Sequence, residues 1–122
     1  MIEKKRKFSL ARKEIIKNKI VISEIINSGR RIQSGFLKLF FKKSEESKAA
    51  FCISNRSGNA VRRNKYKRWL RELYRLNKYD IKGSYEIVFV INVQKEIVEF
   101  EIFRNCFFDV FNRLNGLNEN NQ

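Results

Sequence analysis

An unbroken apolar run, Ile87-Val88-Phe89-Val90-Ile91, sets the tightest limit on what this chain can become. Five residues cannot cross a bilayer, and β-branched and aromatic side chains in this order favour a strand. The run has no polar alternation, so a strand over Tyr85–Val93 must be covered on both faces. A sheet containing it therefore needs a layer of structure on each side.

The rest of the sequence supplies those layers. Apolar residues at Ile15, Ile16, Ile22, Ile25 and Ile26 predict a first helix over about Arg12–Asn27, ended by Asn27, Ser28 and Gly29. A short additional strand near Arg30–Gln33 would follow. Phe36–Lys43 alternates strictly, with Leu37, Leu39 and Phe41 on one face and Phe36, Lys38, Phe40 and Lys42 on the other. The first set reads as the core side and the second as exposed. After a polar turn at Ser44–Lys48, Ala49–Ser54 is expected to pair with this strand. From Asn59 or Ala60 to about Asn77, a stripe of Tyr66, Trp69, Leu70, Leu73 and Leu76 marks the strongest helical pattern. A last helix over about Glu96–Leu114 would bury Val98, Ile102, Phe103, Cys106, Phe107, Val110 and Phe111. Residues 1–114 thus read as one domain, with an Asn-rich, disordered tail over 115–122. The fold class is α+β, a small α/β sandwich whose central sheet is flanked by helices.

Charge narrows the function. Lys and Arg number 27 against 13 Asp and Glu, a formal +14 with no histidine. Such an excess repels itself in a compact chain unless a polyanion relieves it. Nucleic acid and anionic lipid are the two candidates, and the absence of an apolar span or signal-like segment behind Lys4, Lys5, Arg6 and Lys7 points to a soluble, cytoplasmic protein. Cys52 and Cys106 stand alone among apolar neighbours, which suits buried thiols and excludes the usual zinc constellations by count. A protein-only nuclease without histidine would need clustered carboxylates. Glu45, Glu46, Glu96, Glu99 and Glu101 are instead scattered over a turn and a helix start, so no catalytic or metal-binding residue is assigned.

The cations concentrate on the second helix. Between Arg62 and Arg75, seven of fourteen positions are basic (Arg62, Arg63, Lys65, Lys67, Arg68, Arg71, Arg75), opposed only by Glu72. Arg63, Lys67 and Arg71 fall at i, i+4 and i+8 and would form a ladder on one ridge, destabilising unless neutralised. Arginine forks suit phosphate. The second face of Phe36–Lys43, with rings and lysines interleaved, could stack bases while neutralising phosphates, or be an ordinary solvated face. Two further readings stay open: a ribosomal or other structural RNA-binding protein, and a basic helix lying on anionic membrane with Tyr66, Trp69, Leu70 and Leu73 toward lipid.

The stretch Ser57-Gly58-Asn59-Ala60-Val61-Arg62-Arg63-Asn64-Lys65-Tyr66-Lys67-Arg68-Trp69-Leu70-Arg71-Glu72 resembles the signature of the bacterial ribonuclease P protein, roughly G-N/K-A-V-x-R-N-R-x-K-R-x-x-R-E. It departs at Lys65, where the signature has arginine, and at Asn55-Arg56, where a basic pair is usual. The resemblance implies an accessory protein of a catalytic RNA that removes the 5′ leader from precursor tRNA. It implies no cofactor on the protein, Mg²⁺ held by the RNA subunit, and the catalytic RNA and precursor tRNA as partners, with no membrane. Carried over position by position, RNA contacts fall on Arg56, Gly58, Asn59, Arg62, Arg63, Asn64, Lys65, Lys67, Arg68 and Arg71. A leader-binding cleft between the first helix and the sheet falls on Ile22, Ile26 and Phe40, with Phe36 and Lys38 on the same strand; aromatics usual in that helix are here Ile22 and Ile26. The family also implies a left-handed βαβ crossover, as in the second domain of a small-subunit ribosomal protein, where spacing alone would favour the right-handed form.

Overall fold

The computed structural model describes residues 9–94 and 97–120. Lys4–Lys7 and Glu96 lie outside the described residues. The elements are α1 (Lys19–Ser28), β1 (Arg30–Ser34), β2 (Leu37–Lys43), β3 (Lys48–Ile53), α2 (Ala60–Asn77), β4 (Tyr85–Ile91) and α3 (Phe100–Asn120). Single 3-10 turns sit at Arg12–Glu14, Asn55–Ser57 and Lys78–Asp80.

The strands form one sheet in the order β1-β2-β4-β3. A two-residue loop joins β1 to β2, and Gly35 in it takes φ 55, a conformation that a side chain resists. The expected pairing of β3 with β2 does not occur. β4 lies between them, antiparallel to β2 and parallel to β3, with Phe89 opposite Leu39 on one side and Phe51 on the other. The strand with the most apolar sequence takes the centre, where both its edges and both its faces are covered, and β3 is left at the edge.

α1 is shorter than the periodicity predicts. The Asn18 side chain accepts from the backbone N–H groups of Ile20 (2.9 Å) and Val21 (3.4 Å) and starts the helix at Lys19. Upstream, Ile15 bridges to Ala49 and the Ile16 N–H donates to the Ala49 carbonyl at 2.8 Å, so this β-branched pair extends the sheet instead. α2 has the expected bounds, with Asn59 capping it through the Arg62 N–H at 2.9 Å. Its stripe shifts: Leu76 is exposed and Tyr74 is buried in its place. α3 starts at Phe100, leaves Ile102 exposed and buries Leu114. The helix continues beyond Leu114, contrary to the expected disordered tail from residue 115. The Asn115 side chain accepts from the Lys82 N–H at 2.9 Å and donates to the Asp80 carbonyl at 3.0 Å, while Leu117 packs against the core. Those two amide bonds fasten the helix end to the loop before β4.

The two faces of the sheet are filled differently. One, made by Leu37, Leu39, Phe41, Phe51, Ile87, Phe89 and Ile91, is covered by α2 and α3. Phe89 lies at its centre, stacked on Phe51 and Phe107 at 5.9 Å each, with Tyr74 edge-on at 5.9 Å. Among the described residues, the other face has a smaller buried cluster of Ile16, Ile25, Ala50 and Val88, with Ile25 contributed by α1. α1 packs mainly on β2 and β4, and on the same face of β3 Ala50 is buried while Cys52 is half-buried.

Candidate nucleic-acid interface

That face of β3 is the floor of a groove. Ala50 and Cys52, two residues apart and hence on one face, are too small to fill the space between α1 and α2. The resulting open cleft, about 590 Å³, has Ile15, Ile16 and Ile22 along one wall. Lys17 and Lys19 stand on the α1 rim and Lys67 and Arg71 on the α2 rim. Burial pushes the Cys52 thiol above its ordinary pKa, and the nearby Lys67 ammonium opposes that shift. An apolar floor between two cationic rims suits an unpaired polynucleotide, whose bases need desolvating contact and whose phosphates need countercharge.

Lys67 and Arg71 also face a second groove, of about 800 Å³, lined by Ser9, Leu10, Asn64, Arg68 and Arg75. They are a ridge shared by two channels. The segment beyond is pinned alongside α2 by Lys78, whose nearly buried ammonium pairs with Glu14 and donates to the Ser9 carbonyl. Glu72, which also lines this groove, is held by Arg75, whose side-chain hydrogen bond lowers its carboxyl pKa and keeps the carboxylate paired.

Arg63 does not stand on the ridge. It is half-buried, and its Nη1 donates to the Gly58 carbonyl at 2.9 Å and the Asn55 carbonyl at 3.5 Å. It braces the loop before α2. Ser57, buried in that loop, accepts from the Val93 N–H at 3.0 Å and donates to the Ile91 carbonyl, tying the loop to the end of β4. Gly58 takes φ 129 against Arg62, and an added Cβ would lie 2.6 Å from Arg62 Cδ. Arg56, Gly58, Asn59, Arg62 and Arg63 thus gather at the start of α2, while Asn64, Lys67, Arg68 and Arg71 line the grooves. Lys65 turns to another flank, its ammonium 5.0 Å from the centre of the Trp69 ring.

The cleft residues separate as well. Ile22, Ile26 and Phe40 all pack against the cluster of Ile25 and Val88 between α1 and the sheet, but of the three Ile22 alone also lines the groove. The Phe40 side of β2, expected to be exposed, is half-buried because α1 lies across it. Lys38 is likewise half-buried on β2. Phe36 leaves the strand pattern in the turn and packs on the opposite face, its ring 5.8 Å from Phe103. Lys17, Lys19 and Ala50 are groove residues that the charge and motif patterns do not mark, and Cys52, expected as a buried thiol, is only half-buried where it lines the groove. The one available signal was a pair of small residues at strand spacing.

Sequence comparison places these features in a known group. The ribonuclease P family profile matches residues 10–115. The chain belongs to the ribonuclease P protein family. Its relatives include the ribonuclease P protein component of Thermotoga maritima, 28% identical over 88% of this chain and 97% of the relative, and that of Mycoplasma capricolum, 33% identical over 73% and 83%. Among solved structures, the RNase P protein from Thermotoga maritima superposes with a TM-score of 0.71 at 28% identity, covering 82% of this chain and 96% of that one. The Staphylococcus aureus RNase P protein gives 0.75 at 20% identity, covering 82% and 94%, which speaks for the fold. As a ribonuclease P protein component, the chain is a subunit of the ribonucleoprotein that processes tRNA 5′ ends. Tyr66, Leu70 and Leu73 are buried in the core, so the stripe that a membrane reading would turn toward lipid is occupied. No helix among the described residues is long and apolar enough to cross a membrane, and none of their His, Cys, Asp or Glu side chains form a group of three that could hold a metal ion.

Proposed function

We propose that the chain binds the catalytic RNA of ribonuclease P through the start of α2 and the Lys67–Arg71 ridge, and receives the single-stranded 5′ leader of precursor tRNA in the groove over β3. The observation that carries this reading is the groove itself: half-buried Cys52 and Ile22 give it an apolar lining over the buried Ala50, between the cations Lys17 and Lys19 on one rim and Lys67 and Arg71 on the other. A duplex needs no apolar floor. An unpaired strand does, because its base faces gain from leaving water while its phosphates meet the rims.

The protein's part in catalysis is then electrostatic and positional. Two RNAs must approach, and cations on a shared ridge offset the repulsion between them, a task otherwise left to dissolved Mg²⁺. Holding the leader fixes where the scissile phosphodiester lies relative to the catalytic RNA. Hydrolysis itself, with the Mg²⁺ ions that activate water, belongs in this reading to the RNA subunit.

Reconstitution with a bacterial ribonuclease P RNA and a precursor tRNA tests it. The protein should permit cleavage at Mg²⁺ concentrations where the RNA alone is inactive and should cleave nothing by itself. Robust 5′ processing by protein freed of RNA would refute the accessory role.

A further inference from the structure

The α2 face does not account for all the clustered charge. On the opposite edge of the sheet, along β1, two adjoining cavities of about 380 and 560 Å³ meet at Arg30 and Leu117, which line both. Lys42 and Lys43 stand at one end and Arg31 and Arg113 at the other. No carboxylate among the described residues lines either cavity. Two of the guanidinium groups are held in place. Arg30 lies over the Phe41 ring, 5.5 Å from its centre, and Arg113 Nη1 donates to the Gln33 carbonyl at 2.7 Å, reaching from α3 to β1. The Asp109 carboxylate, 3.6 Å from Arg113 Nη1, adds a second hold on that group from within α3.

We propose that this β1-edge groove is a second RNA-binding surface, taking the phosphodiester backbone of an RNA segment other than the one on α2. The inference rests on the RNA-binding reading above. Arginine forks already positioned by an aromatic ring and a carbonyl lose little freedom on meeting phosphate, which distinguishes them from mobile surface lysines. The site is concave, which fits a strand of backbone better than a lipid surface. Three strand spacings, about 14 Å at roughly 4.8 Å each, separate β1 from β3, so one backbone strand cannot lie in both grooves without wrapping the sheet. The protein would then hold two RNA segments at a fixed separation.

The test compares Arg30→Glu/Lys43→Glu with Lys67→Glu/Arg71→Glu in complexes assembled on ribonuclease P RNA, with and without precursor tRNA. Affinity across a salt series and hydroxyl-radical protection of each RNA are the readouts. Each pair should make the log–log salt slope about 1.4 to 1.8 shallower, at 0.7 to 0.9 per lost phosphate contact. The two pairs should lose protection at different nucleotides. Arg30→Gln/Lys43→Gln, which loses the same two contacts without reversing charge, should flatten the slope by the same amount with a smaller loss of affinity, and guards against misfolding of the first variant. An edge variant with unaltered slope and footprint, beside a ridge variant that loses binding, overturns the second surface alone. Loss of the same nucleotides by both pairs, or Arg30- and Lys43-dependent binding to anionic vesicles with RNA binding intact, also overturns it. If neither pair weakens RNA binding, the proposed function falls and the inference with it.

Discussion

The two faces of the sheet solve different problems with the same backbone. The face under α2 and α3 is a closed aromatic core in which Phe89 touches three other rings. The face under α1 is thin and aliphatic, built on Ile16, Ile25, Ala50 and Val88, and on the outer strand it buries Ala50 but leaves Cys52 half-buried. Stability lies where packing is complete. The groove lies where it is not, because on the edge strand the packing ends at Ala50 and leaves the apolar Cys52 and Ile22 half-exposed for something else to cover. The cations assemble around that gap.

If the faces divide the work in this way, damage to the first should be felt as melting and damage to the second as lost RNA. Phe89→Ala should show the largest effect, a loss of about 3 to 5 kcal/mol in denaturant unfolding from the transfer and cavity terms. Tyr74 sharpens the same side through pH. Burial, followed by the charges of Glu14 and the nearby Tyr79, pushes its phenol up to about 12. A phenol whose folded pKa exceeds its unfolded value near 10 contributes fully below pH 10, and that contribution is lost as pH rises toward 12. Stability should therefore fall by about 2 to 3 kcal/mol across this window, at roughly 1.4 per unit, and the fall should be correspondingly smaller in Tyr74→Phe.

Arg63 sits between the two categories. Arg63→Ala removes a bond of 2.9 Å to the Gly58 carbonyl and should cost about 1 kcal/mol of stability together with RNA affinity. Lys67→Ala should leave unfolding within about 0.5 kcal/mol of the parent. It should flatten the salt dependence of RNA binding by roughly 0.7 to 0.9. A large stability loss from Lys67→Ala, or none from Phe89→Ala, would break the division between the faces.

Much of this architecture was legible in the residues. The 3.6-residue stripe of α2 and the unbroken run of β4 are local patterns, and local patterns read directly. What failed was non-local. Strand pairing is decided by which run is most apolar across the whole chain, so β4 displaced β2 as the neighbour of β3. Alternation told which side of β2 faced the aromatic core, yet not that α1 would cross the other side and half-bury Phe40. Ile15 and Ile16 matched helical spacing while their backbone went to Ala49. The cations of the site were visible, but not their placement: nothing in an i, i+4, i+8 series says that Arg63 braces a loop while Lys67 and Arg71 line two grooves. The groove floor left the faintest trace, since Ala50 and Cys52 matter by being small.

Cys52 offers the most direct test of the groove. It lies on the floor, and with Cys106→Ala it becomes the sole thiol of the chain. A short photo-crosslinker attached there, in the holoenzyme assembled with precursor tRNA, should bond to nucleotides of the 5′ leader, and the product should vanish when mature tRNA replaces the precursor. Crosslinks that fall only in the catalytic RNA, or that persist unchanged with mature tRNA, would contradict the assignment of this groove to the leader.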